Sequence, residues 1–304
     1  LPILLSLDVE HYFGNIQKMR KHLETDRQIL WVTYYRNLYN ATHPSEINSP
    51  VSLSRNLLAW NQPGTNGLIL PVNPSASFLS ILFANELWFT LGDMTMAEHC
   101  AMLSMIFSPR NSGSRMIKRL AEINLVNGDD EAALKYLRIL DKTLLHKSWA
   151  EKRIPGQQTP RVKEWLEKKR RDIPTQDQLR SGNDAVTSLR NLVASNAGNL
   201  RAYEYLLCYH LLSKDLRSFV EDYVPGKVSS PIFAEALLIH LARQGNIRAE
   251  ELIKYQIPVE IAKEFADYTR LYEAKDTSLK EKYGKTYWFY YHFATTEPGK
   301  ESKP

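Results

Sequence analysis

The chain has 304 residues, 43% of them hydrophobic and 24% charged, with a formal net charge of +5. That size and balance are ordinary for a folded chain, so disorder is not the default reading, and they permit a large core in one or two domains. Thirty-nine Lys and Arg against 34 Asp and Glu do not by themselves require a polyanionic partner. The two cysteines, Cys100 and Cys208, make neither a disulfide framework nor a metal cluster, and their apolar helical surroundings predict buried free thiols.

The chain opens with LPILLSLDVEHYF. This run is shorter than the roughly 18 apolar residues of a membrane span and lacks the charged start of a signal peptide. Two explanations stay open, a processed or shortened chain and the trailing end of a transmembrane segment. Beyond it, apolar residues recur at spacings of three and four between Gly, Pro, Asn and Asp, and strand-like alternation is nearly absent. The pattern predicts helices at about 8–22, 26–40, 50–61, 75–91, 94–107, 113–126, 130–146, 161–171, 176–195, 199–213, 215–223, 231–244, 247–256 and 258–273. Two segments interrupt it. Residues 59–77, AWNQPGTNGLILPVNPSAS, carry three prolines and two glycines and cannot form a continuous helix. Residues 151–178 read as a basic hinge between an N-terminal half, 1–150, and a C-terminal half, 179–304.

The helices come in pairs, and the pairs repeat. Gly92-Asp93 aligns with Gly128-Asp129, and Ala97 and Ala133 each follow their glycine by five residues. Glycine ends a helix by accepting a left-handed backbone, Asp caps the next through its side-chain oxygen, and a small Ala one turn later lets antiparallel helices approach closely. A weaker third copy runs through Gly245-Asn246 with Ala249. With Pro109 twelve residues after Ala97 and the small packing pair Leu120-Ala121, the pattern resembles the tetratricopeptide repeat. It departs from that family at Leu145, where a closing proline is usual, at Asn85, where a small residue is usual, and in its 36-residue step between glycines, against 34 in the family. The resemblance implies an all-α fold, a right-handed α-α superhelix of helix pairs.

Five strings spread over the chain, WNQPGTNGL (60–68), RMIKRLAEINLVNG (115–128), LLHKSWA (144–150), YEYLLCYHLL (203–212) and YGKTYWFYYHF (283–293), together resemble an uncharacterised bacterial family of membrane-anchored proteins. In that family hydrophobic spans precede a C-terminal tetratricopeptide-like domain. The resemblance implies a domain lying beside a membrane, on its periplasmic or cytoplasmic face, anchored by spans preceding Leu1. It supplies no catalytic residue.

Chemical motifs are sparse. The GKT at 284–286 lacks the first glycine of a phosphate loop, since position 279 is Leu. The eight histidines form no metal-binding spacing, no nucleophile elbow is present, and no cofactor is expected. Two stretches remain as candidate sites. In the 59–77 segment, Trp60, Asn61, Gln62 and Asn66 could line a ligand pocket or pack a crossing between repeats. Between Lys142 and Arg171, ten Lys and Arg face three Glu. That run includes Lys163, Lys168, Lys169, Arg170 and Arg171, with Trp149 and Trp165 as stacking partners for nucleic acid or anionic lipid. Its simpler reading is a solvated helix held by pairs such as Glu164 with Lys168.

The tail YGKTYWFYYHF is expected to cover the last repeat, whose apolar face has no next repeat to hide it. The whole is expected to be a non-catalytic interaction domain that holds a protein or peptide partner on an extended surface. Its rivals are a ligand-binding or enzymatic domain using the 59–77 loop and an anionic-surface binder using residues 142–171.

Overall fold

The computed structural model describes residues 78–107, 109–175 and 185–294, together with Lys18. Every regular element among them is an α-helix, fourteen in all, and sequential helices pack on one another in an arrangement compatible with an α-α superhelix. The helices predicted before residue 75 and the 59–77 segment lie outside the described residues. The chain forms two compact units, with described residues 78–203 in the first and 204–294 in the second.

The first unit begins with α1, Phe78–Leu91, and α2, Met94–Phe107. α1 buries Ile81, Ala84, Leu87, Trp88 and Phe89 together with the polar Asn85 and Thr90, as a helix enclosed on most sides does. The two-residue link reverses the chain. Gly92 adopts φ 91°, Asp93 donates its N–H to the Trp88 carbonyl at 2.9 Å, and its carboxylate accepts from the Met96 N–H at 3.0 Å. The same turn joins α3, Pro109–Asn127, to α4, Asp130–Asp141. There Gly128 has φ 81°, Asp129 donates to Asn124 at 2.9 Å and caps Ala132 at 2.9 Å. Ala97 and Ala133 are both fully buried, as their spacing predicts. Asn85, where the repeat family prefers a small residue, donates to the Ala97 carbonyl at 2.6 Å and bonds the pair together.

After α5, Lys147–Glu151, comes α6, Pro160–Arg170, which packs on α3 and buries Val162 and Leu166. Thus the basic stretch expected as a hinge contributes a packed helix to the first unit. Its continuation is stitched down by two asparagines that follow α7, Ala185–Ser195. Asn196 donates to the carbonyls of Arg171 and Ile173 at 2.7 and 2.9 Å, and Asn199 donates to Leu91 and Asp172 at 2.7 and 2.8 Å.

Helix α8, Leu200–Leu212, carries the division between the units, at Tyr203 and Glu204. The second unit continues through α9, Leu216–Asp222, and α10, Pro231–Arg243, then α11, Ala249–Lys254, and α12, Val259–Glu273. It ends with α13, Leu279–Tyr283, and α14, Tyr287–Phe293. α10 buries eight side chains and packs against α9, α12 and α14. The glycine–aspartate turn recurs between α8 and α9 with Lys214 in the glycine position at φ 57°. Asp215 donates to His210 at 2.9 Å and caps Ser218 at 3.0 Å. The copy expected at Gly245-Asn246 keeps only half of the device. Asn246 donates back to Leu241 at 2.9 Å, yet α11 begins at Ala249 without a side-chain cap, and Ala249 is exposed.

The aromatic tail is built into the core of this unit, with Tyr287, Trp288 and Tyr290 buried. The Tyr287 and Tyr290 hydroxyls donate to the Leu211 and Leu212 carbonyls at 2.9 and 2.8 Å, which satisfies the open C-terminal end of α8. Trp288 Nε1 donates to the Glu235 carbonyl at 3.0 Å, and the Glu235 carboxylate accepts from the Tyr287 N–H at 2.5 Å. Within GKT, Gly284 ends α13 and Thr286 caps α14 through its hydroxyl.

Two tests follow from this packing. Gly128→Ala is expected to cost about 1–2 kcal/mol, the left-handed penalty alone, because nothing stands within 4 Å of a Cβ there. Gly92→Ala is expected to cost distinctly more in urea titrations, since its Cβ would meet the Asp172 carbonyl oxygen at 2.3 Å; equal costs would refute that close approach. For Glu235, burial lifts the carboxyl from an ordinary 4.5 to about 7, with Glu264 adding to the rise and the Tyr287 N–H opposing it. Between those values the folded chain keeps a proton that the unfolded chain has released, so stability falls as pH rises from about 4.5 to about 7. Glu235→Gln should remove that decline from the thermal midpoint measured against pH, and an unchanged profile would contradict the assignment.

Candidate functional site

A group of charged side chains lies in the first unit, on α1, α3 and α6. Along α3, Arg115, Lys118, Arg119 and Glu122 recur at spacings of three and four, which places them on one side of the helix. Arg119 pairs with Glu86 of α1 at 2.6 Å and with Glu122 at 3.2 Å. Its guanidinium lies 3.8 Å from the centre of the Phe89 ring, and the Lys169 ammonium lies 4.4 Å from the same centre. Lys169 Nζ also donates to the Phe89 carbonyl at 3.2 Å, near the open C-terminal end of α1.

A second aromatic ring repeats the arrangement. Trp149 of α5 has the Arg153 guanidinium 4.1 Å and the Lys118 ammonium 5.2 Å from its ring centre. Arg153 donates to the Trp149 carbonyl at 3.2 Å. Arg201 donates to the Thr90 carbonyl at 3.3 Å. Burial chiefly, with Arg201 and Arg119 adding, pushes the Lys169 ammonium down to about 7 against the pull of Asp172 and Glu122. Burial, then the neighbouring arginines, likewise lower Lys118.

Beside this cluster, the turn from α4 to α5 presents apolar side chains to solvent. Leu144 is 102% and Leu145 74% exposed, with Ile139 at 48% on the last turn of α4. The turn is ordered by its own bonds. Thr143 donates its hydroxyl to Leu140 at 2.7 Å and accepts from the His146 N–H at 3.2 Å, while buried His146 meets Ser114 of α3 at 2.9 Å. Arg138, Lys142 and Lys147 are exposed around it.

The basic residues singled out from sequence divide into two groups. Lys163, Lys168, Arg170 and Arg171 are exposed, but half-buried Lys169 reaches Phe89, and Arg170 donates to Val126 and Leu125 at 3.0 and 2.9 Å, closing the end of α3. Lys163, Lys168 and Arg171 remain a solvated face; Lys169 and Arg170 are structural ties. Trp60, Asn61, Gln62 and Asn66 lie outside the described residues. Sequence reasoning passed over Glu86, Lys118, Arg119 and Glu122, although the three- and four-residue spacing on α3 signalled a charged side. Cys100 and Cys208 are buried free thiols, as expected, and burial pushes Cys100 up to about 12. Among the described residues, no three His, Cys, Asp or Glu side chains are grouped as metal ligands. No described helix is long and apolar enough to cross a membrane.

The division of the basic run is testable. Arg170→Ala should destabilise the fold by about 1–2 kcal/mol, the loss of bonds from a charged donor to two helix-end carbonyls. Lys163→Ala and Lys168→Ala should stay within about 0.5 kcal/mol in the same denaturation assay.

No curated protein and no solved structure matches the chain. The match that covers it, over residues 3–294, is to the model of a family of unknown function, and the chain belongs to that family, DUF6057.

Proposed function

We propose that this is a non-catalytic helical-repeat domain that binds a segment of a partner protein, and that the first unit receives it at the α4–α5 turn. The observation that carries this reading is the pair Leu144 and Leu145, held out to solvent by an internally bonded turn. Burying each leucine is worth about 1.5–3 kcal/mol, and an ordered, exposed apolar patch marks an interaction surface more often than an isolated exposed side chain does. Arg138, Lys142 and Lys147 around it favour a segment in which apolar residues alternate with Asp and Glu. The helical-pair scaffold suits such a role, because stacked helix pairs offer an extended surface to a partner.

Peptide display against the purified chain tests this reading. The expected result is enrichment of acidic peptides with leucine or phenylalanine, whose binding weakens about tenfold or more in Leu144→Ser/Leu145→Ser. Failure to enrich any peptide, or enrichment indifferent to that double variant, would overturn it. Binding to anionic vesicles that the double variant abolishes, without peptide enrichment, would replace it with the lipid-surface reading.

A further inference from the structure

The turn that carries Leu144 and Leu145 is fastened to the first unit by the residue that follows them. His146 is only 5% exposed, and its Nε2 lies 2.9 Å from Ser114 Oγ of α3. Its backbone is tied on both sides. The N–H donates to the Thr143 hydroxyl at 3.2 Å, and the carbonyl accepts from the Ala150 N–H at 2.9 Å, so His146 joins the turn to α5. The Thr143 carbonyl accepts from the Lys147 N–H at 3.1 Å and completes the connection. In this conformation the imidazole is held inward while both leucines stand in solvent.

The place the imidazole occupies suits its neutral form. Burial first, and the Lys118 ammonium of α3 second, hold its protonation below the ordinary 6.5 of histidine. The other charged groups near it in sequence or on the helix it touches are Arg115 on α3, Arg138 and Asp141 at the end of α4, Lys142 in the turn, and Lys147 and Glu151 on α5. Of these, Lys147 and Glu151 lie 4.0 Å from each other. A proton on His146 puts a second positive charge into a buried position that already feels Lys118, which is costly. Opening the turn returns the ring to water, where it takes the proton at its ordinary value. The closed turn therefore holds the proton less readily than the open one, and closure weakens as pH falls below about 6.5.

We propose that His146 is an acid-operated latch on the α4–α5 turn: protonation frees it from the Ser114 side of α3, the turn opens, and Leu144 and Leu145 lose their fixed arrangement. The use of this latch rests on the partner-segment reading, whereas the opening itself does not. A surface that must be ordered before it binds loses affinity to one already ordered. Partner binding is therefore strongest near neutral pH and declines in acid.

The test follows the full chain by NMR between about pH 8 and about pH 5, the range in which histidine changes charge. Amide exchange, corrected for its intrinsic pH dependence, is read at His146, Lys147 and Ala150, whose N–H groups are bonded within and beside the turn. Ala133, bonded to the Asp129 carbonyl at the start of α4, is the reference. Protection at the first three is expected to fall about tenfold or more towards acid, the effect of a pKa lowered by one unit, while Ala133 holds. The His146 ring, read from its Cε1–H resonance, should titrate below 6.5. His146→Gln keeps a polar group beside Ser114 and cannot take the proton, so protection at Lys147 and Ala150 should become flat with the helical circular dichroism unchanged. If that variant loses its helical signal, the readings on the unaltered chain decide alone. The proposal fails if protection in the unaltered chain is flat, if Ala133 falls in step, if the ring titrates at 6.5 or above, or if a folded His146→Gln keeps the decline. Such a failure leaves the partner-segment reading standing, because peptide enrichment at neutral pH and its loss in Leu144→Ser/Leu145→Ser do not require the latch.

Discussion

The constraint on which the helical pairs depend is the reversal of the chain within two residues. A helix ends with carbonyls that nothing in its own backbone satisfies, and the next begins with N–H groups in the same condition. At 92–93, 128–129 and 214–215 one device answers both needs. A left-handed residue turns the chain so that the following N–H bonds back to the helix just ended, and the Asp carboxylate caps the helix about to begin. With the reversal so tight, the paired helices must lie close, which is why Ala97 and Ala133 are buried where a larger side chain would hold the helices apart. At Gly92 the requirement is doubled, because the Asp172 carbonyl occupies the space a Cβ would need.

Other helix ends are closed by side chains from far along the chain, and this decides the fate of several residues that look functional. Arg170 closes α3, Lys169 and Asn199 reach the end of α1, and the tyrosines of α14 close α8. Lys214 shows why a strained left-handed conformation is tolerated in a residue other than glycine. Its ammonium donates to the Ala294 carbonyl and lies beside the Tyr290 and Tyr291 rings, so the side chain that makes the turn less favourable also fastens the last helix. A glycine there would relax the backbone and lose that tie.

The same economy sets the character of the surface in the first unit. Cations that close helix ends or flank Phe89 and Trp149 gather about α1, α3 and α5. The packing of Lys118 and Arg153 on Trp149 removes hydrophobic surface from water while keeping charge close to it. Next to this group, the bonds that hold His146 inward leave Leu144 and Leu145 outward.

The local code was legible because it is local. Period-three and period-four patterning marked the helices from 78 to 107 and from 200 to 273 within a few residues, and Gly-Asp with Ala at a fixed offset marked two reversals, since the left-handed turn and the cap involve neighbours in sequence. The third reversal was hidden because Lys214 carries no such signal. The short helices α5, α13 and α14 were likewise missed, being too brief to show a period. What the sequence determined alone is an all-helical chain of paired elements with buried thiols. Tertiary structure decided which lysines and arginines are ties and which stay exposed, and that the tail is core. Those outcomes turn on contacts such as Arg119 with Glu86 or Tyr287 with Leu211, between residues far apart in the chain, which no local spacing records.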